Sequence, residues 1–286
     1  MTPVDIKINL SLRVGPRRPD GYHELATVLV ALPLGDELNL EPAGATHVDA
    51  PGLAGGDGLV TRALDLLAVQ ANHARGWRVH LDKRAPIGAG LGGGSADAGL
   101  ALRLANRTLP EPLAEDALVE LAAQVGSDVP FFASGRAAAL ARGRGERLAP
   151  CPIGAAAWVV LAWPGVELST ARVYAHHRLG GRAAERLAEL SAAPFATHEP
   201  ARLAALVEND LAAAAEELCP PAASLRARLL AAGALAACVS GSGSAVFGLF
   251  ASESGAGAAR EELAARAPWA AVARLPHGDL AATIRS

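Results

Sequence analysis

Pro86-Ile87-Gly88-Ala89-Gly90-Leu91-Gly92-Gly93-Gly94-Ser95-Ala96-Asp97 decides how the chain is read. Six of the seven residues from Gly88 to Gly94 are Gly or Ala. Glycines lose more chain entropy on folding than other residues, so this density points to close packing or to a ligand. Ahead of the stretch, Trp77-Arg78-Val79-His80-Leu81-Asp82 alternates as a strand does. Behind it, Ala96 to Leu104 reads as a helix, with Leu100 and Leu104 one turn apart. Ser95 is the expected N-cap, and Asp97 is expected in the first turn, where the helix dipole favours a carboxylate. A glycine loop entering a helix offers unpaired backbone N–H groups to an anion, most often a phosphate.

Other readings of the loop fit less well. The Walker pattern needs Lys after the last Gly, and here Ser95 follows Gly94. Gly88-x-Gly90-x-x-Gly93 matches the dinucleotide fingerprint. That fingerprint opens its own βαβ unit, however, and places an acid about 20 residues on, at a strand end. The corresponding stretch here, Leu109-Pro110-Glu111-Pro112, reads as a loop. A flexible linker would be polar, whereas this one carries Pro86, Ile87 and Leu91.

The 286 residues suffice for one large or two ordinary domains, and 51% are hydrophobic, which supports a sizeable core. A net charge of −3 without a basic run gives no footing to nucleic acid or to an anionic membrane. Cys151, Cys219 and Cys238 are far apart and lack metal spacing, so buried free thiols in a reducing compartment are expected. Asp5 and Lys7 interrupt the N-terminal apolar alternation, unlike a signal peptide. No apolar run reaches spanning length. A soluble cytoplasmic protein is the expectation.

Ile6, Ile8, Leu10 and Leu12 alternate with Lys7, Asn9 and Ser11, which predicts a half-buried strand with Lys7 and Asn9 on its other face. A lysine there is ordinarily a solvated charge. Residues 17–24 read as a turn carrying Tyr22 and His23, strands are predicted at 26–34 and 36–41, a loop at 42–57 and a helix at 59–72. A second helix at 112–124 stops at Gly126 and leads into Ser127-Asp128-Val129-Pro130-Phe131-Phe132. Asp128 reads locally as a turn or cap residue, yet a short acid against an apolar wall also suits a general base. A strand follows at 137–142, and Pro150-Cys151-Pro152 is a candidate hinge. Beyond it come a strand at 158–162, a helix start capped by Ser169 or Thr170, and helices at 183–190, 201–218 and 222–232. Cys238 to Phe247 reads as strand, small-residue turn and strand, either a plain hairpin or a second nest of N–H groups. A helix at 252–266 and a strand at 270–276 complete the pattern.

Taken together, the Lys7-Ile8-Asn9-Leu10 strand, the Pro-x-Gly-x-Gly-Leu-Gly-Gly-Gly-Ser loop and the Ser240-Gly241-Ser242-Gly243 turn resemble the three motifs of the GHMP kinases. Asp20-Gly21-Tyr22-His23, Asp82-Lys83-Arg84-x-Pro86 and Gly126 to Phe132 narrow the resemblance, which spans essentially the whole chain. It implies an α+β, two-domain fold: a domain like ribosomal protein S5 domain 2 over 1–152 and a ferredoxin-like domain over 153–286. It implies ATP-dependent phosphorylation of a hydroxyl on a small cytidyl-bearing alcohol, by a monomer or homodimer. On this sequence, Asp128 would take the hydroxyl proton and Lys7 would keep Asp128 ionised. Pro86, Ile87, Gly88, Ala89, Gly90, Leu91, Gly92, Gly93, Gly94, Ser95 and Ala96 would wrap the ATP phosphates, with Ser95 a ligand of Mg²⁺. Asn9, Tyr22, His23, Thr170 and Tyr174 would meet the substrate, His23 on the cytosine edge and Tyr174 closing a sandwich with Tyr22. Gly241, Ser242 and Gly243 would form the phosphate-side hairpin. Two positions depart from the family: Asp5-Ile6 precedes Lys7, and Gly58-Leu59 stands where an Asn-Leu pair is common. The rival readings are another GHMP kinase, for homoserine or a mevalonate derivative, an NAD-dependent oxidoreductase, and a catalytically silent binding module.

Overall fold

The computed structural model describes residues 1–53 and 57–277. Part of the loop expected at 42–57, and the end of the domain expected to reach 286, lie outside the described residues. In chain order the elements begin β1 (Thr2–Pro3), β2 (Ile6–Arg17), β3 (His23–Leu32), β4 (Glu37–Ala43), β5 (His47–Asp49), α1 (Gly58–Gln70) and β6 (Gly76–Asp82). They continue with α2 (Gly93–Thr108), α3 (Glu115–Val125), α4 (Val129–Ala133), β7 (Ala138–Gly143), β8 (Arg147–Pro150) and β9 (Trp158–Trp163). Then come α5 (Thr170–His176), α6 (Ala183–Glu189), α7 (Pro200–Ala204), β10 (Glu208–Asn209), α8 (Ala212–Leu218) and α9 (Pro220–Ala231). The last are β11 (Ala236–Val239), β12 (Val246–Phe250), α10 (Glu253–Ala264) and β13 (Trp269–Arg274).

These elements gather into two compact units. The first holds Met1–Ile6, Pro33–Ala85 and Gly92–Arg136, and the second holds Lys7–Leu32, Pro86–Leu91 and the chain from Ala137 onward. The first unit is built on a sheet of order β1-β4-β6-β5, with α1 and α2 packed against it. Leu38 stands opposite Leu81 and Leu40 opposite Val79, so cross-strand apolar pairs hold the β4–β6 ladder. The helices come very close at Gly99, where an added Cβ would lie 2.4 Å from Cβ of Phe132 on α4. Only a glycine permits that approach.

The second unit carries two sheets, β10-β2-β3-β7-β8 and β11-β12-β9-β13. The latter is antiparallel throughout and is covered by α9 and α10, over a core that includes Val160, Leu229, Val246, Phe250 and Leu263. Among the described residues no helix is long and apolar enough to cross a membrane.

The α+β class is as expected, and four local expectations change. The strand at Lys7 is buried on both faces, and β2 lies inside its sheet between β10 and β3. The helix expected over 201–218 is two helices, interrupted where Glu208 and Asn209 pair in parallel with Ser11 and Leu12 of β2. A short strand, β5, occupies the expected loop and pairs in parallel with β6. Lastly, α2 begins earlier than expected. Gly92, at φ 73°, starts the helix without a side-chain cap, and the amide of Ala96 bonds to the Gly92 carbonyl at 2.8 Å. Ser95 therefore lies within the first turn, and Asp97 lies beyond it. Gly92 therefore leaves the first amides of α2 without a capping side chain.

Candidate active site

In the second unit the three motif segments meet. Lys7 is only 4% exposed, and its Nζ donates to Asn9 Oδ1 at 2.7 Å and to the Gly90 carbonyl at 2.8 Å. Ser240 Oγ donates to that same carbonyl at 3.2 Å. Backbone bonds tighten the arrangement: the Lys7 amide to the Leu91 carbonyl and the Ala245 amide to the Ala89 carbonyl, each at 2.9 Å. Asn9 is fixed in turn by its Nδ2, which donates to Thr27 Oγ1 at 2.9 Å, while the Thr27 hydroxyl donates to the Ser11 carbonyl at 2.7 Å. A lysine removed from water must be surrounded by acceptors, and these residues supply them. Gly241, at φ 57°, faces this group: an added Cβ would stand 2.9 Å from Asn9 Oδ1 and 3.1 Å from Lys7 Nζ.

Asn209 props the turn from behind. Its Nδ2 donates to the carbonyls of Val239 and Gly241 at 2.9 and 2.8 Å. The hydroxyls of Thr170 and Ser242 lie 2.9 Å apart. Ser169 caps α5 through the Arg172 amide at 3.4 Å, so the serine, rather than Thr170, is the cap.

The aromatic groups form two pairs. The His23 ring lies 5.4 Å from the Tyr174 ring at an interplanar angle of 34°. Tyr22 is 52% exposed, with the Arg144 guanidinium 5.0 Å from its ring centre. His23 Nδ1 is 2.9 Å from the Gly15 carbonyl. A carbonyl only accepts, so Nδ1 donates to it, and in the neutral ring Nε2 is an acceptor.

In the first unit, Gly92 to Ala96 form the entry of α2. Asp128 occupies the position before α4, with no side-chain cap bond, ahead of buried Val129, Pro130, Phe131 and Phe132. Close to the helix entry is a group the sequence reading did not single out. Lys83 Nζ lies 2.5 Å from Asp36 Oδ2 and 2.6 Å from Asp97 Oδ2. Burial pushes Asp97 up, to about 8, because the nearby Asp36 charge adds to desolvation and Lys83 offsets only part of it. Burial pulls the Lys83 ammonium down, yet its two carboxylates carry it above its ordinary value. Two carboxylates favour the lysine's charge, while burial and the neighbouring carboxylate disfavour that of Asp97. In the sequence Lys83 reads only as part of a motif, and Asp36 as the first residue of a strand. The polar Glu208-Asn209-Asp210 inside an Ala/Leu-rich run was the available signal for Asn209.

The N-terminal domain of the GHMP kinases matches residues 58–136, and their C-terminal domain matches 184–268. The chain belongs to the GHMP kinases. Relatives of one name among them cover most of the chain. A 4-diphosphocytidyl-2-C-methyl-D-erythritol kinase of Desulfotalea psychrophila is 40% identical over 254 residues, covering 85% of this chain and 83% of that one. A kinase of the same name from Geobacter sulfurreducens is 38% identical over 273 residues, covering 94% and 96%. A crystal structure of 4-(cytidine 5′-diphospho)-2C-methyl-D-erythritol kinase matches with a TM-score of 0.78 at 36% identity, over 96% of this chain and 98% of that one.

Proposed function

We propose that this chain transfers a phosphoryl group from ATP to the 2-hydroxyl of 4-diphosphocytidyl-2-C-methyl-D-erythritol. The products are the 2-phosphate and ADP, in the non-mevalonate isoprenoid pathway. The observation that carries the reading is the Gly90 carbonyl, which accepts from Lys7 and from Ser240 and so ties the three family motifs into one hydrogen-bonded group. The three buried free thiols fit a reducing, cytoplasmic setting.

Phosphoryl transfer asks for positioning and charge neutralisation more than for covalent help. Residues Pro86 to Ala96 wrap the ATP phosphates, the amides at the start of α2 serving as donors. An alcohol is a poor nucleophile at neutral pH, and Asp128 takes its proton as the new bond forms. Lys7 supplies a positive charge that steadies the developing alkoxide. The turn at Gly241, Ser242 and Gly243, with Thr170 beside Ser242, faces the phosphate side. His23 presents Nε2 as an acceptor for the cytosine amino group, while Tyr174 and Tyr22 offer aromatic faces to the base. Asn9 meets the substrate with the amide hydrogen not used on Thr27.

Among the described residues no cluster of His, Cys, Asp or Glu is arranged to hold a metal. Mg²⁺ bound mainly through substrate phosphates needs only one or two protein ligands, and Ser95 in the first turn of α2 fits that demand. Bound there, the ion would neutralise phosphate charge.

The test is ADP release from Mg-ATP with 4-diphosphocytidyl-2-C-methyl-D-erythritol, beside homoserine and mevalonate. Release with the cytidyl compound alone is expected. Release with homoserine or mevalonate instead, or nicotinamide dinucleotide binding without ATP turnover, refutes the reading. Asp128→Asn should leave ATP binding intact and lower turnover at least ~10²-fold, the range for a lost general base. Near-normal turnover would remove Asp128 from its role.

A further inference from the structure

The Lys83 cluster has no part in the chemistry above, yet it brackets the glycine loop in sequence. Asp36 Oδ1 accepts from the amides of Arg84 and Ala85 at 2.6 and 2.8 Å, just ahead of the loop. Asp97, on α2, lies just behind it. Lys83 Nζ joins the two carboxylates at 2.5 and 2.6 Å, with Lys83 11%, Asp36 1% and Asp97 0% exposed. The cluster also lies beside the entry of α2. A Cβ added at Gly93 would stand 3.8 Å from both Asp36 Oδ2 and Lys83 Nζ. Asp97 Oδ1 is buried without a hydrogen-bond partner among the described residues.

Stability alone does not account for such an arrangement. Buried ion pairs lose hydration that their mutual attraction only roughly offsets, and apolar residues of equal volume often serve as well. Charge-assisted bonds add direction instead. Here that direction runs from the end of β6, through one ammonium, to the second turn of α2. Gly93, Gly94 and Ser95 enter α2 there without a capping side chain.

We propose that Lys83 is a positioning residue of the nucleotide site: held between Asp36 and Asp97, it fixes the entry of α2 so that the amides of Gly93 to Ser95 stay aimed at the phosphates. The proposal rests on the reading of this loop as the ATP loop. Donors must be held within a fraction of an ångström to bind well, and the clamp supplies that constraint without touching the ligand.

Calorimetric titration with Mg-ADP separates this role from a merely structural one, because it reads affinity and stoichiometry independently. Lys83→Met should raise the ADP Kd at least ~10-fold, the effect of losing charge-assisted bonds. It also leaves two buried carboxylates unpaired, so it can fail to fold. At pH 9, above the value near 8 to which Asp97 is raised, Asp97→Asn keeps the Lys83–Asp36 pair and the side-chain shape, and should raise Kd ~3- to 10-fold at full stoichiometry, since a neutral partner bonds Lys83 less strongly. Lys83→Arg, which restores the charge, should return Kd toward the parent value. An unchanged Kd in Asp97→Asn and in any folded Lys83→Met overturns the proposal, as does a fall in stoichiometry alone, the signature of partial unfolding. If the unsubstituted protein binds no Mg-ADP, the ATP-loop reading falls and the clamp falls with it.

Discussion

Replacing Gly90 by alanine should damage both stability and activity. Gly90 adopts φ +81°, and an added Cβ would stand 2.5 Å from the Ser240 carbonyl oxygen, 2.8 Å from the Gly243 oxygen and 2.9 Å from the Gly243 nitrogen. All three obstacles are backbone, so no side chain can swing aside. The left-handed conformation costs an L-residue about 1–2 kcal/mol. Forcing atoms into a filled space costs a further ~1–3 kcal/mol. The sum is about 2–5 kcal/mol. Relief would require the 240–243 turn to move away, at the expense of the Lys7 and Ser240 bonds to the Gly90 carbonyl at 2.8 and 3.2 Å. Activity should therefore fall even where the variant remains folded. The assay is urea unfolding followed by circular dichroism, with ADP release measured on the same preparation. Gly44→Ala is the reference, since a Cβ there meets nothing within 4 Å; it should fall within about ±0.5 kcal/mol of the parent. A Gly90→Ala protein as stable and as active as Gly44→Ala would refute the packing argument.

Gly99→Ala should destabilise by about 1–3 kcal/mol through overpacking, because the new methyl meets Cβ of Phe132 at 2.4 Å and the Ala133 amide at 2.9 Å. An unchanged urea midpoint would mean that α2 and α4 separate freely. Burial pushes the Cys151 thiol from 9.0 up to about 12 and the Cys238 thiol from 9.0 up to about 11. The folded chain then keeps protons that the unfolded chain releases, so this contribution is full below pH ~9 and is lost as pH rises toward 11 and 12. Lys83, raised above its ordinary value, loses its contribution in the same direction. The urea midpoint should thus fall between pH 8 and pH 10.5, and iodoacetamide at pH 8 should label Cys151 and Cys238 far more slowly in the native than in the unfolded protein. Equal labelling rates would show both thiols to be open to solvent.

What the sequence settled by itself was local in origin. Alternation over Ile6 to Leu12 marks a strand because side chains alternate at period two, and Leu100 with Leu104 marks the helix after the loop because 3.6 residues make a turn. The glycine density at 88–94 marks a backbone that must approach something closely, and the family was legible from its motifs. The fate of individual polar groups needed the tertiary structure. Lys7 reads as a solvated strand charge until folding buries it and Gly90, 83 residues on, supplies an acceptor. The 201–218 run reads as one helix because its Ala and Leu favour helix; the pairing of Glu208 and Asn209 with β2 breaks it. Asp97 reads as a dipole-favoured acid, whereas it is the buried partner of a lysine 14 residues away in sequence. Propensity and periodicity act within a few turns of chain. The burial and pairing of a charge depend on residues as distant as Asn9 and Ser240, 231 positions apart, which only folding brings into reach.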